Sequence, residues 1–213
     1  MSHQLDRVIH LDLMRLYFNK FKYWCDLYDL DISLLNVGGG IGIDYANPQK
    51  IFNWKSFCID LDALITEPSL TKIIIRFECG RFVTANCGYY VMKVLDIKIN
   101  HGQYFAIGHG GIHHFRTPVA QNHDHPFLVY EGNDRNEIDG VFIYPQIKQQ
   151  KVNLVGQLCT SKDVLANQQY VESLNIGDYL VFGQAGAYAW NISHQNLLMQ
   201  TSPVKHLSSL IGK

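Results

Sequence analysis

Several short segments of this chain carry residue types suited to handling an anion and a proton. Asn36-Val37-Gly38-Gly39-Gly40-Ile41-Gly42 reads as a strand ending in a tight turn. Glycine accepts positive φ at little cost and lets backbone N–H groups approach a phosphate closely. The spacing is not that of GxGxxG at a helix start, and a glycine turn with no ligand is the plainer alternative. Downstream, Ile73–Arg76 is followed by Phe77-Glu78-Cys79-Gly80-Arg81. This places a carboxylate and a guanidinium at the C-terminal end of a β-branched strand, where functional groups of parallel α/β barrels gather. A surface salt bridge at a strand end is the alternative. Cys159, within Gly156-Gln157-Leu158-Cys159-Thr160-Ser161-Lys162-Asp163, reads alone as a small buried hydrophobe. Tyr188, in Gly186-Ala187-Tyr188, reads alone as a core tyrosine with a satisfied hydroxyl.

Five histidines, His109, His113, His114, His123 and His125, fall close together. Such clusters bind zinc when the spacing suits it, usually as HxxxH or with cysteines alongside. Here no cysteine joins them at metal spacing, so no metal site is assigned and a small metal-binding β protein is the weakest reading.

These residues need elements to hold them. Apolar positions from Leu5 to about Tyr28 recur at mostly helical spacing and predict an amphipathic helix. Leu34–Val37 predicts a short buried strand, Trp54–Ile65 a helix and Lys72–Phe77 a β-branched strand. Helix, strand, helix, strand is the rhythm of a parallel α/β barrel or sheet. After about Asn86 the rhythm changes. Tyr89–Ile99 and Gln103–Ile107 flank Asn100-His101-Gly102, a hairpin signal, and Val141–Tyr144, Val152–Gly156 and Tyr179–Gly183 read as further strands. The expected organisation is an α/β region over residues 1–85, part of a parallel (β/α) barrel, and a mainly antiparallel β-barrel or sandwich domain over 86–213.

The bulk composition excludes several classes. The 213 residues, 47% hydrophobic, suffice for one sizeable core or two small ones. With 18 basic against 19 acidic side chains, nothing suggests a nucleic-acid surface. No apolar run approaches the roughly 20 residues that span a bilayer. The N-terminus has no signal-peptide pattern, and the five cysteines are irregularly spaced, with no CxxC pair. A reduced, cytoplasmic protein is expected.

Taken in order, the motifs resemble the second half of the fold-type III, alanine-racemase-like decarboxylases that use pyridoxal 5′-phosphate, the family of diaminopimelate and ornithine decarboxylases. The resemblance implies a role for each residue. Gly38, Gly39, Gly40, Arg81 and Tyr188 would bind the cofactor phosphate. Glu78 would contact the pyridine nitrogen and keep the ring protonated. The family's usual Glu-Pro-Gly-Arg has Cys79 in place of proline here. Cys159 would cross a dimer interface and return a proton to carbon after decarboxylation. Thr160 stands where enzymes gripping a distal amine carry an acid, which disfavours ornithine or diaminopimelate as substrate. Gly110-Gly111-Ile112-His113-His114-Phe115-Arg116, with His125-Pro126-Phe127, resembles the subgroup of siderophore biosynthesis. Its substrate joins a diaminopropionate unit to citrate or a related acid. His114 and Arg116 would then bind substrate, Arg116 as a bidentate carboxylate clamp.

The resemblance leaves out the family's Tyr-x-x-Lys-Ala-Asn-like segment, whose lysine attaches the cofactor. Lys20, Lys22, Lys50, Lys55 and Lys72 have no such context. The expectation is therefore a split, truncated or late-started reading frame, inactive alone, working as a homodimer or with a complementary N-terminal half. A catalytically inactive decarboxylase-like binding protein is the alternative from another class.

Overall fold

The computed structural model describes residues 4–65, 70, 72–122, 124–133, 137, 138, 141, 142 and 145–207. They divide into two compact units, Met1–Ala85 and Asn86–Lys213.

In the first unit, Asp6 opens helix α1 (Arg7–Tyr28) by accepting the Val8 N–H, which satisfies one of the donors a helix start leaves unpaired. His10, Leu11, Met14 and Phe18 recur at helical spacing and form its buried stripe. Helix α2 (Trp54–Leu64) is capped in the same way by Asn53, whose side chain accepts the Ser56 N–H, and buries Phe57 and Leu61. Both helices pack with Val37, Ile41, Phe52 and Leu70 into one core. Aromatic edges fill it: Phe52 and Phe57 meet T-shaped, with ring centroids 5.4 Å apart. Strands β1 (Leu34–Asn36) and β2 (Ile74–Arg76) pair in parallel, Asn36 opposite Arg76. The short helix α3 (Gly80–Thr84) follows β2, and a 3₁₀ turn spans Ala85–Cys87.

The second unit is built on a six-stranded mixed sheet. Its strands are β3 (Tyr90–Asn100), β4 (Gln103–Gly108), β5 (Phe127–Tyr130), β8 (Gln146–Val155), β9 (Val164–Asn175) and β10 (Tyr179–Phe182), in the order β5-β10-β3-β4-β8-β9. Among the described residues, two further strands, β6 (Glu137–Ile138) and β7 (Val141–Phe142), pair with each other. The predicted hairpin is present as β3–β4. Its turn places His101 and Gly102 at φ 48° and 74°, as the right-handed strand twist requires of a two-residue connection. The β10–β3, β10–β5, β3–β4 and β8–β9 ladders are antiparallel. The β4–β8 ladder is parallel, so the sheet is mixed rather than purely antiparallel. A parallel neighbour needs a long crossover, and the Gly108-to-Gln146 connection carries the short helix α4 (Thr117–Gln121) and β5 within it. The core gathers Met92, Phe115, Ile147, Leu154, Leu165, Leu174, Leu180 and Phe182.

The expected strand Val152–Gly156 is the end of a longer strand that begins at Gln146, and residues 143–144 of the expected Val141–Tyr144 strand lie outside the described set. No helix among the described residues is long and apolar enough to cross a membrane.

Two substitutions test this account of the cores. Leu154→Ala removes a fully buried side chain and should cost about 2–5 kcal/mol in the unfolding of its unit. Asp6→Ala removes a cap and should cost about 1 kcal/mol. Urea unfolding followed by circular dichroism measures both.

Candidate functional site

The polar end of the first unit is assembled where β1 and β2 finish. The parallel pairing runs on past both strands: the Val37 N–H donates to Arg76 O at 3.0 Å, and the Glu78 N–H donates to Gly38 O at 2.8 Å. Gly38 and Gly40 lie at φ 72° and 96°. A Cβ at Gly39 would sit 2.2 Å from the Glu78 carbonyl oxygen, so only glycine permits this approach. The Glu78 side chain is exposed, and its Oε1 accepts from Asn36 Nδ2 at 2.8 Å. Asn36 Oδ1 accepts the Gly38 N–H at 2.9 Å. Arg81, in the first turn of α3, is buried. Its guanidinium donates to the Tyr45 hydroxyl at 3.1 Å and lies over the Tyr45 ring at 5.7 Å. Thus Gly38 and Gly39 are in direct backbone contact with Glu78, while the Gly40 carbonyl accepts the Gln4 N–H at 2.9 Å, and Arg81 lies in the same unit.

In the second unit a buried carboxylate ties two loops together. Asp163 is 2% exposed and accepts the Ile112 N–H on Oδ1 and the Leu158 N–H on Oδ2, each at 2.8 Å. One loop contains His113, His114 and Arg116; the other contains Cys159 and Thr160. Burial pushes the Asp163 carboxyl above its usual range, against the opposing pull of the two amide bonds and nearby His114. Cys159 and Thr160 are exposed, and Thr160 Oγ1 accepts the Lys162 N–H at 3.3 Å. A backbone bond from Gln157 N–H to Gly110 O at 2.9 Å joins the same loops again.

The histidine segment is less open than its composition suggests. His114 is held at both ring nitrogens, Nδ1 by the Tyr90 hydroxyl at 3.3 Å and Nε2 by Thr201 O at 2.7 Å. The carbonyl can only accept, so Nε2 carries the proton and Nδ1 accepts from Tyr90. Burial, and then the Asp163 charge, push the Tyr90 hydroxyl far above its ordinary range, which keeps it a donor. Arg116, half-buried, stands at the N-cap position of α4 without a side-chain capping bond and donates from one guanidinium nitrogen to Ile192 O at 3.3 Å. Tyr188 is partly exposed; its carbonyl accepts from Thr117 Oγ1 at 2.5 Å, and its turn packs where Gly186 meets Gly88 backbone to backbone. His123 lies outside the described residues. Among the described residues, no group of three or more His, Cys, Asp or Glu side chains is placed to hold a metal ion.

Four residues that do this positioning were not singled out in the sequence: Asn36, Tyr45, Tyr90 and Asp163. Asn36 and Asp163 were visible as parts of motifs, but their bonds depend on loop geometry that spacing does not give. Tyr45 follows the glycine turn closely, the one hint it carries.

Residues 22–186 match the family profile of the pyridoxal-dependent decarboxylase, C-terminal sheet domain. The chain belongs to this family. It is 42% identical over 202 residues to the 2-[(L-alanin-3-ylcarbamoyl)methyl]-2-hydroxybutanedioate decarboxylase of Staphylococcus aureus, covering 95% of this chain and 50% of that protein. It is 29% identical to the L-glutamyl-[BtrI acyl-carrier protein] decarboxylase of Niallia circulans, covering 87% of this chain and 45% of that one. The chain thus spans about half the length of these curated relatives. Among solved structures, a diaminopimelate decarboxylase from M. jannaschii in complex with L-lysine superposes with a TM-score of 0.75 at 21% identity, over 95% of this chain and 44% of the other. That likeness speaks for the decarboxylase fold alone.

The buried histidine gives a pH test. Neither ring nitrogen of His113, 1% exposed, has a hydrogen-bond partner among the described residues. Burial, then the neighbouring His114 and His109, pull its pKa from 6.5 down to about 4. The unfolded chain therefore takes up a proton near pH 6.5 that the folded chain refuses until about pH 4. The stability this contributes is fully present above pH 6.5 and should be lost as pH falls to 4, by roughly 3 kcal/mol. His113→Phe should flatten that part of the stability–pH curve, measured by urea unfolding from pH 7.5 to 4.

Proposed function

We propose that the chain is the C-terminal part of a pyridoxal 5′-phosphate-dependent carboxy-lyase acting on a citryl-diaminopropionate-like siderophore precursor in the cytoplasm. The carrying observation is the 42% identity, sustained over 95% of the chain, to a decarboxylase of a carbamoylmethyl-hydroxybutanedioate. Under this reading, residues 1–85 belong to a cofactor-binding (β/α) barrel and residues 86–213 to its β-barrel or sandwich partner domain.

The residues present fit the cofactor. The turn at Gly38–Gly40 is bare backbone pressed against the Glu78 segment, with a buried guanidinium, Arg81, in the same unit. Backbone N–H groups and a guanidinium are the donors a phosphate dianion requires, and the Tyr188 hydroxyl is a further donor of the kind such a group takes. Glu78 would hold a proton at the ring nitrogen. When bound, the cofactor supplies the electron sink for the pair left behind as CO2 departs. Cys159, exposed on its loop, would return a proton to that carbon, its sulfur becoming the thiolate. Thr160 beside it leaves that position neutral, as a substrate without a free distal amine needs. Arg116 retains guanidinium donors beyond the one given to Ile192 and would clamp a substrate carboxylate. For His114 to contact substrate, the Thr201 or Tyr90 bond must be exchanged.

Family members place the attaching lysine in a segment that maps onto none of these 213 residues, so the complete catalytic site would include residues beyond them. The β1–β2 pair supports this. Parallel strands are stable when both faces are covered, yet Ile74 on β2 is 64% exposed. A homodimer would further bring Cys159 of one protomer to the other's cofactor. The second reading is an inactive decarboxylase-like docking protein. A diaminopimelate- or ornithine-type decarboxylase is the alternative within the family.

Release of CO2 from citryl-diaminopropionate, ornithine and diaminopimelate distinguishes these readings, using the purified chain with pyridoxal phosphate, with and without a complementary N-terminal half. We expect release only from the reconstituted pair and fastest with citryl-diaminopropionate. In that pair Cys159→Ala should lower the rate about 100-fold. Robust release by the lone chain contradicts the need for a second half, and silence of the pair favours the docking protein. An unchanged rate in Cys159→Ala removes the proton-donor role.

A further inference from the structure

One carboxamide bridges the two halves of the candidate cofactor site in the first unit. Asn36, the last residue of β1, accepts the Gly38 N–H on Oδ1 at 2.9 Å and donates from Nδ2 to Glu78 Oε1 at 2.8 Å. The Glu78 N–H closes the ring by donating to Gly38 O at 2.8 Å. We propose that Asn36 is a positioning residue that fixes the direction of the Glu78 carboxylate relative to the glycine turn.

The chemistry of the three groups supports this role. Glu78 is exposed at a strand end, and an exposed glutamate ordinarily spreads over many rotamers. A carboxylate meant to hold a proton at a ring nitrogen must instead keep one direction, because misplacement costs the hydrogen bond. Asparagine offers one acceptor and one donor on a short planar group. The acceptor engages the turn that would face the phosphate end of the cofactor. The donor engages the carboxylate that would face the ring end. The bond occupies Oε1 and leaves Oε2 to accept a ring N–H. Aspartate lacks the donor, and serine keeps an acceptor for the turn but cannot reach Glu78. This inference rests on the cofactor reading above only for the purpose of the carboxylate's direction; the contact stands independently of it.

Two measurements on the full chain test it. The first needs no cofactor: amide hydrogen exchange by NMR reports how often the Glu78 N–H···O Gly38 bond opens. Asn36→Ser and Asn36→Asp should each raise that opening about tenfold, the value of a hydrogen bond to a charged group. The double variant Asn36→Asp with Glu78→Gln reverses donor and acceptor and should return to within about threefold of the parent. Unchanged opening in Asn36→Ser, or additive effects in the double variant, overturns the proposal. The second uses pyridoxal phosphate labelled with 15N in the ring, added at matched saturation. Its ring nitrogen should hold a proton about tenfold less tightly in Asn36→Ser than in the parent, about one pKa unit. A merely structural role would weaken binding without moving this titration, so an identical titration also overturns the proposal. If the parent takes up no pyridoxal phosphate, the cofactor reading falls, and the exchange measurement alone upholds or overturns the Asn36 contact.

Discussion

The candidate site in the first unit depends on one register. Because β1 and β2 run parallel with Asn36 opposite Arg76, the chain leaving β1 and the chain leaving β2 emerge side by side. The ladder then continues through two more backbone bonds, Val37 to Arg76 and Gly38 to Glu78. This continuation brings the glycine turn against a carboxylate far away in sequence. The contact leaves no room for a side chain at Gly39, whose missing Cβ is what lets the Glu78 carbonyl approach. Shift the register by one residue and every side chain changes face; Asn36 would no longer reach Glu78.

The second unit solves a similar problem by a different means. Its functional candidates sit on loops, which no ladder orders. Buried carboxylates order them instead. Asp163 collects amides from the His114 loop and the Cys159 loop. Asp178, fully buried, does the same between β9 and β10 and toward Gly132. Charged acceptors of backbone N–H groups are among the stronger protein hydrogen bonds, and desolvation opposes them, which is why Asp163 titrates upward. The C-terminal stretch adds a strap over the same region: Thr201 O receives His114, Gln200 receives Gln157, and Lys205 lies over the Trp190 ring at 5.2 Å.

Much of this was legible in the sequence. Long segments with clean periodicity were read to within a few residues, as with α1, α2 and the β3–β4 hairpin, because one face of each is buried and the other solvated. Strand β9 and the first half of β8 were not. Lys148-Gln149-Gln150-Lys151 and Asn167-Gln168 are exposed on the sheet, so alternation disappears where both side-chain types face water. The parallel β4–β8 ladder was equally hidden, since strand order is a property of the crossover and not of either strand. Among the candidate residues, residue types announced Glu78, Arg81 and Cys159, whereas the residues that hold them within each unit depend on loop geometry that spacing does not give. The histidines show the converse. Their spacing gave no metal site, and His114 spends both ring nitrogens within its own unit.

The central claim is that the glycine turn, Glu78 and Arg81 receive the phosphate-bearing cofactor. An amide-resolved NMR titration of the 15N-labelled chain with pyridoxal phosphate tests it most directly. The account predicts saturable shifts at Gly39, Gly40 and Arg81, reversed by competing inorganic phosphate. Shifts confined to lysine-bearing segments elsewhere, with the glycine turn and Arg81 silent, would contradict it.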